Sequence, residues 1–316
     1  MLTLDKIKLV APIDGVVIVD QSQFSSVQEQ GRVKSQRISL TEPCLLKLEL
    51  NYDVGEAVIE FTGKILGRDY PQLISEETIL KCFSNIEEMG FCRFDSAVML
   101  EVAEIVKCDV TKDIRVNDVA RMTKWIKPNI SNNQTYICRA LRNGNLIIEK
   151  NNTTPKRNKR LTIYDKGQEM RLSGNREYVA QYEMEGRFDG VCRFELNLCT
   201  KQQIKDSLGV TRATLSEVLH SEQNPLVSFL TSAITEVSPD CGTKGRQGWN
   251  TFLNGLLLQY CNNDLERVEA LLRQYYDPRK DKIRKKMEPF RALYTQSTQL
   301  VEATGWTKEK LLSMLR

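Results

Sequence analysis

Hydrophobic periodicity turns wholly helical near residue 200, and that change limits the folds open to this chain. Before it, segments with apolar residues at every second position, as in Leu161 and Ile163 or Cys192, Phe194, Leu196 and Leu198, show the spacing of half-buried strands. After it they recur at threes and fours, as in Trp249, Phe252, Leu253, Leu256, Leu257 and Tyr260, and again in Leu265, Val268, Leu271, Leu272 and Tyr275, which are the stripes of amphipathic helices. Strands with helices returning between them, then helices alone, predict an α+β chain. An antiparallel sheet domain with helices on its apolar side spans 1–200, and an all-helical region spans 201–316. With 316 residues, 41% of them apolar, there is enough to build a real core.

Residues 2–10 read as an opening strand that runs into a Pro12-Ile13-Asp14-Gly15 turn, while 16–43 carry no clear pattern. Residues 44–50 and 57–66 read as a hairpin. A helix is expected from Ser75 to Gly90, strands through 98–113, and a second helix capped by Asn117 and ending before Pro128. Strands at 135–141 and 145–150 flank an Asn143-Gly144 turn, and 191–198 is the last clear strand.

Composition excludes several classes. No apolar run approaches a membrane span, and the first residues lack the basic-then-apolar plan of a secretory signal, so the cytosol is the expected compartment, with no membrane partner. Nine cysteines without a C-x-x-C pair read as reduced thiols, not as a disulfide framework or a zinc site. A net charge of +4 is mild, but its distribution is uneven. From Arg121 to Lys166 eleven Lys or Arg stand against Glu149 and Asp165, and a second basic cluster covers 279–286. Such clusters suit phosphate backbones, and equally a solvated basic face.

Three strands carry a polar face. Alternation groups Lys107, Asp109, Thr111 and Asp113 on one, Thr162, Tyr164 and Lys166 on the next, and Arg193, Glu195 and Asn197 on the third. Acids inside strands need partners. One explanation is cross-strand ion pairing of Arg193 and Lys166 with Glu195 and Asp109. The other is metal-assisted phosphoryl transfer. Asp109 and Glu195, with Asp113, would then hold Mg²⁺ or Mn²⁺ through oxygen ligands. Tyr164, lowered by its positive neighbour Lys166, would attack phosphorus, and Lys166 or Arg193 would offset the developing charge.

Taken together, these segments resemble the replication initiators of filamentous bacteriophages and related phage and plasmid rolling-circle proteins. The likeness rests on Leu4-Asp5-Lys6-Ile7-Lys8-Leu9-Val10-Ala11-Pro12, Lys107-Cys108-Asp109-Val110, Leu161-Thr162-Ile163-Tyr164-Asp165-Lys166 with Glu169, and Cys192-Arg193-Phe194-Glu195-Leu196. It covers residues 1 to about 200. The resemblance implies an RRM-like, HUH-type endonuclease core that nicks one strand at an origin and forms a 5′-phosphotyrosine bond. Tyr164 is the nucleophile by position and Lys166 its helper; host helicase and polymerase would be partners. The wider rolling-circle class uses a metal-binding histidine pair, which cannot exist here because His220 is the only histidine. Carboxylates must substitute. His220 itself follows the Leu215 and Leu219 face and reads as a structural or surface residue.

The basic turn with Lys156, Arg157, Lys159 and Arg160 would grip DNA beside the nucleophile, and Arg193 is a further DNA-binding candidate. Residues 202–220, with Gly209 in the turn, Thr211 as a cap and Arg212 after it, resemble a helix-turn-helix that would bind origin double-stranded DNA or simply pack between domains, single-stranded DNA being the other expected partner. Tyr136 is the second-choice nucleophile, and Tyr178 and Tyr182 form a core or base-stacking pair. A non-catalytic helix-turn-helix regulator is the alternative reading. A single-strand or RNA-binding sheet is weaker, because the polar face is poor in aromatics.

Overall fold

Alternation of Ile7, Leu9 and Ala11 with Lys6, Lys8 and Val10 makes the opening segment a strand, β1 (Leu4–Pro12), with its aliphatic side buried. The computed structural model describes residues 2–41, 44–131, 135–141, 143–151, 159–235, 246–261, 264–276 and 283–316. After β1 come β2 (Val16–Ile18), β3 (Ser25–Glu29), β4 (Arg32–Leu40), β5 (Leu46–Asn51), β6 (Glu56–Thr62), α1 (Ile79–Glu87), β7 (Cys92–Phe94), α2 (Ser96–Glu101) and β8 (Glu104–Arg115). Next are α3 (Val119–Ser131), β9 (Tyr136–Ala140), β10 (Leu146–Lys150), β11 (Arg160–Asp165), α4 (Lys166–Met170), α5 (Arg176–Tyr182) and β12 (Val191–Leu198). The chain finishes with α6 (Lys201–Leu208), α7 (Leu215–Leu219), α8 (Pro225–Ala233), α9 (Arg246–Tyr260), α10 (Leu265–Tyr275), α11 (Ile283–Thr304) and α12 (Lys308–Leu315).

These elements form two compact units, one of residues 1–117 with 152–226 and one of 118–151 with 227–316. Neither unit begins or ends at residue 200. Helices α6 and α7 stay with the sheet because Ile204, Leu208, Leu215 and Leu219 are buried. The backbone also stitches them there, Ile105 donating to the Ala213 carbonyl at 2.7 Å and Leu215 to that of Ala103 at 3.0 Å.

In the first unit the strands lie in the order β3-β4-β5-β6-β1-β8-β12-β11, each neighbouring pair antiparallel. The fold is mixed α+β with a large antiparallel sheet, as expected. One face is apolar: Ile7, Leu9, Ile59, Phe61, Cys108, Val110, Ile163, Phe194 and Leu196 are all buried, each large side chain contributing roughly 1.5–3 kcal/mol. Helix α1 lies on that face, with Phe83 edge-on to Phe61 at 6.3 Å. The patternless stretch 16–43 contains the β3–β4 hairpin, closed by Gln30 and Gly31 at φ 52° and 78°, a left-handed pair whose twist suits a two-residue hairpin.

Three local expectations are corrected. Residues 98–101 are helical, not strand, because the Asp95 carboxylate accepts the Ala97 and Val98 N–H groups at 2.9 and 3.1 Å and starts α2. Helix α1 begins at Ile79, whose N–H donates to the Ser75 carbonyl at 3.0 Å, while the Ser75 hydroxyl meets that of Thr78 at 3.3 Å and does not cap the helix. Helix α3 is started by Asp118, which accepts from the Arg121 N–H at 2.9 Å, and it continues through Pro128 to Ser131.

The second unit holds α3, the antiparallel β9–β10 hairpin and the helical C-terminal region. Its core joins Leu258, Cys261, Val268, Leu272, Ile283, Met287, Phe290 and Leu293. The α9 stripe is split: Leu257 packs against this core beside Leu258, while Trp249 and Tyr260 are 57% and 77% exposed. Tyr136 packs on Phe229 at 5.3 Å and shares a hydrogen bond with Ser232 at 2.9 Å, a packing role rather than a nucleophile's. Among the described residues, the eight cysteines are free thiols, and no helix is long and apolar enough to cross a membrane.

Candidate active site

Strand register decides which polar side chains meet. On β12, Arg193 stands opposite Tyr164 of β11 and Asp113 of β8. Two residues on, Glu195 stands between Thr162 and Thr111, and Asn197 between Arg160 and Asp109, which in turn faces Lys6 of β1. Period 2 sends all of them to the face away from Phe194 and Leu196.

Tyr164 reaches diagonally across this face. Its hydroxyl donates to Glu195 Oε1 at 2.6 Å, a contact that diagonal neighbours in a sheet make through long or aromatic side chains. The residue is 8% exposed. Burial first, and the Glu195 charge second, push the hydroxyl well above the usual phenol range, against the pull of Arg193. Tyr164 is a neutral phenol at physiological pH. This reverses the expected lowering by Lys166. Strand β11 ends at Asp165, whose carboxylate accepts the Gln168 N–H at 2.8 Å, so Lys166 begins α4 instead of continuing the strand. Its ammonium donates to Glu169 Oε2 at 2.6 Å and lies over the Tyr164 ring, 5.8 Å from the centroid. Lys166 is 2% exposed. Burial and then Arg193 push it down, while Asp5 and Glu169 hold it up.

Glu195 is the unusual acid. Burial first and the neighbouring Asp5 second push its carboxyl up to about 7, against Arg193 and the Tyr164 hydrogen bond. Asp109 is also raised, by burial most and by Asp5 in part, although it accepts a hydrogen bond from the Asn197 amide.

Behind this pair lies a sealed ion cluster. Arg193, 0% exposed, grips Asp113 with two bonds of 2.7 Å and donates from Nη1 to Asp5 at 2.8 Å and to the Tyr70 hydroxyl at 2.7 Å. Its guanidinium also lies over the Tyr70 and Phe188 rings at 5.1 and 5.7 Å. Asp5 stays below the ordinary carboxylate range: burial raises it, but Arg193, then Lys166 and the Tyr70 hydrogen bond, outweigh that. A buried fork of this kind is the strong form of ion pairing.

Several expected roles change accordingly. Arg193 is closed off from DNA. Asp113 has both oxygens on Arg193 and stands four residues from Asp109 along one strand, about 13 Å away, so the two cannot share an ion. Asp5 was not singled out in the sequence, because an irregularity in the β1–β8 register between Leu4 and Lys6 breaks the alternation there and turns Asp5 toward Arg193. Tyr70 comes from a 3₁₀ segment with no periodic signal. Among the described residues, no group of three or more His, Cys, Asp or Glu is arranged to hold a metal ion.

Lys156 and Arg157 lie outside the described residues, Lys159 precedes β11, and Arg160 is exposed at its start. Arg212 is exposed between α6 and α7, its N–H donating to Glu217 at 2.9 Å. Helix α7 has five residues and is capped by Thr214, not Thr211. His220 is a surface residue, 2.9 Å from Glu76. Tyr178 packs inside, donating to the Gly67 carbonyl at 2.9 Å with the Tyr182 ring 4.8 Å away. No protein-family model, curated protein or solved structure matches this chain.

Proposed function

We propose that this chain initiates rolling-circle DNA replication by nicking one strand at an origin through Tyr164. The observation that carries the reading is the 2.6 Å hydrogen bond from the Tyr164 hydroxyl to Glu195. A phenol held well above its usual range needs a base at the moment of attack, and a carboxyl raised to about 7 is matched to that task near neutral pH. The Tyr164 oxygen forms a bond to phosphorus while the bond from phosphorus to the 3′ oxygen breaks. Its proton passes to Glu195, and the leaving oxygen takes a proton from water. The products are a 5′-phosphotyrosyl adduct and a free 3′ hydroxyl. Arg193, fixed by Asp113 and Asp5, and Lys166, fixed by Glu169, keep the Tyr164 ring and Glu195 in place and supply positive field from behind.

The donor chemistry fits a divalent cation in part. Asp113 is unsuited, since Arg193 occupies both its oxygens. Asp109 offers Mg²⁺ or Mn²⁺ an oxygen ligand, whereas Glu195 accepts the Tyr164 proton and stays out of the ion's coordination, since a bound cation would hold its carboxyl low. One carboxylate, with phosphate and water, is a common set for Mg²⁺. A cation held there would polarise a non-bridging phosphate oxygen.

The same reading takes the first unit as the nuclease part, of the HUH kind, with DNA and the host helicase and polymerase as partners in a bacterial cytoplasm. The resemblance to filamentous-phage initiators supports it. Incubating the protein with its own origin strand and Mg²⁺, followed by denaturing electrophoresis, should yield a covalent protein–DNA adduct that Tyr164→Phe lacks. Binding without any adduct would return the chain to the class of DNA-binding regulators.

A further inference from the structure

The polar face of the sheet carries more positive charge than its own fold can use. Lys8 of β1 stands directly opposite Lys107 of β8. On the other side of Lys8 comes Glu60 of β6, and beyond it Lys47 of β5. One row nearer the site, Lys6 stands opposite Asp109. With neighbouring strands about 4.8 Å apart, these four lysines occupy a patch roughly 15 Å across.

Within the row the single acid is Glu60, already bonded to Lys6 at 2.5 Å. Burial raises its carboxyl, but Lys6, Lys8 and Lys47 together hold it below the usual range. Glu49, the next acid along β5, stands opposite Arg37 of β4 instead. Like charges directly opposite on antiparallel strands destabilise a sheet. The opposite faces of β1 and β8 bury Ile7, Leu9, Ile105 and Cys108, so the strands are held without any help from Lys8 and Lys107. Across this row three lysines stand against one acid that Lys6 already holds, and that excess suits an anion from outside.

We infer that Lys8, Lys47 and Lys107 form the track for the phosphates of a single DNA strand, which crosses β5, β6, β1 and β8 toward Tyr164. The inference rests on the proposed nicking function and adds to it the path of the substrate, which runs over the sheet rather than over Arg193. The track adjoins Asp109 and lies on the same face as Tyr164 and Glu195. It carries no aromatic side chain, so it contacts backbone and leaves base recognition to other parts of the chain.

The test measures affinity of the full chain for a thymidine oligonucleotide over a salt series, wild type against the triple variant Lys8→Gln, Lys47→Gln, Lys107→Gln. Each phosphate contact adds about 0.7 to the slope of log affinity against log salt for single strands. The triple variant should therefore lose about 2 from the slope. Should the triple variant fold poorly, Lys107→Gln alone should lose about 0.7. An unchanged slope, or a polyglutamate peptide competing as well as DNA, would overturn the track. Adduct formation by wild type on the origin strand is scored separately. An adduct with an unchanged slope defeats the track and leaves nicking; a lowered slope without an adduct does the reverse.

Discussion

Replacing Glu195 by Gln separates the chemistry from the fold. The amide keeps the shape of the carboxyl and can still accept the Tyr164 hydrogen bond, but it cannot take the proton. Adduct formation should fall by about 10²–10⁴, the usual worth of a positioned base. Stability should move the other way. The Glu195 carboxyl sits at about 7 in the folded chain against an ordinary 4.5, so between those values the native state keeps a proton that the unfolded chain releases. Wild-type stability therefore declines as pH rises through that window, by about 3 kcal/mol once above pH 7, at about 1.4 kcal/mol per unit. Other groups contribute equally to both proteins and cancel in the difference. Urea denaturation at a series of pH values should find the two alike near pH 4 and E195Q about 3 kcal/mol more stable near pH 8. A difference that stays flat from pH 4 to 8 would refute the burial argument for Glu195, and with it the case for a base poised near neutrality.

Arg193→Met strands the partly buried carboxylates of Asp113 and Asp5 and should cost about 3 kcal/mol in chemical denaturation, the lower end for loss of one partner of a buried pair; a cost under about 1 kcal/mol would show that solvent replaces the guanidinium. Asp109→Asn removes a buried acid already held above its range, so the melting temperature should hold or rise while nicking is lost and oligonucleotide binding survives. Normal cleavage by Asp109→Asn would remove that residue from the metal site.

Much of the site was legible because a period of 2 is a strict rule. It assigned Asp109, Asp113, Tyr164, Arg193 and Glu195 to one face without knowledge of strand order, and the register then made Tyr164 and Glu195 diagonal neighbours. What alternation cannot convey is depth. Arg193 was read as a cation available to DNA and Lys166 as the nucleophile's helper on an open strand face, yet both are sealed beneath Tyr70 and Phe188, residues that the strand pattern does not reach. The stripe on α9 is split between core and solvent: helical spacing was read correctly as amphipathic, but spacing alone does not say how much of the apolar side turns inward.

The amino-acid order alone determined the α+β character, the change to helices late in the chain and the shared face of the polar strand residues, since each follows from local spacing. Tertiary structure decided who partners whom. The register irregularity in β1 brought Asp5 to Arg193, the capping by Asp165 withdrew Lys166 from the strand, and burial raised Tyr164 and Glu195 together. Those outcomes depend on segments far apart in sequence coming to one place, and the free energy of a buried charge is set by its neighbours there, not by its own position in the chain.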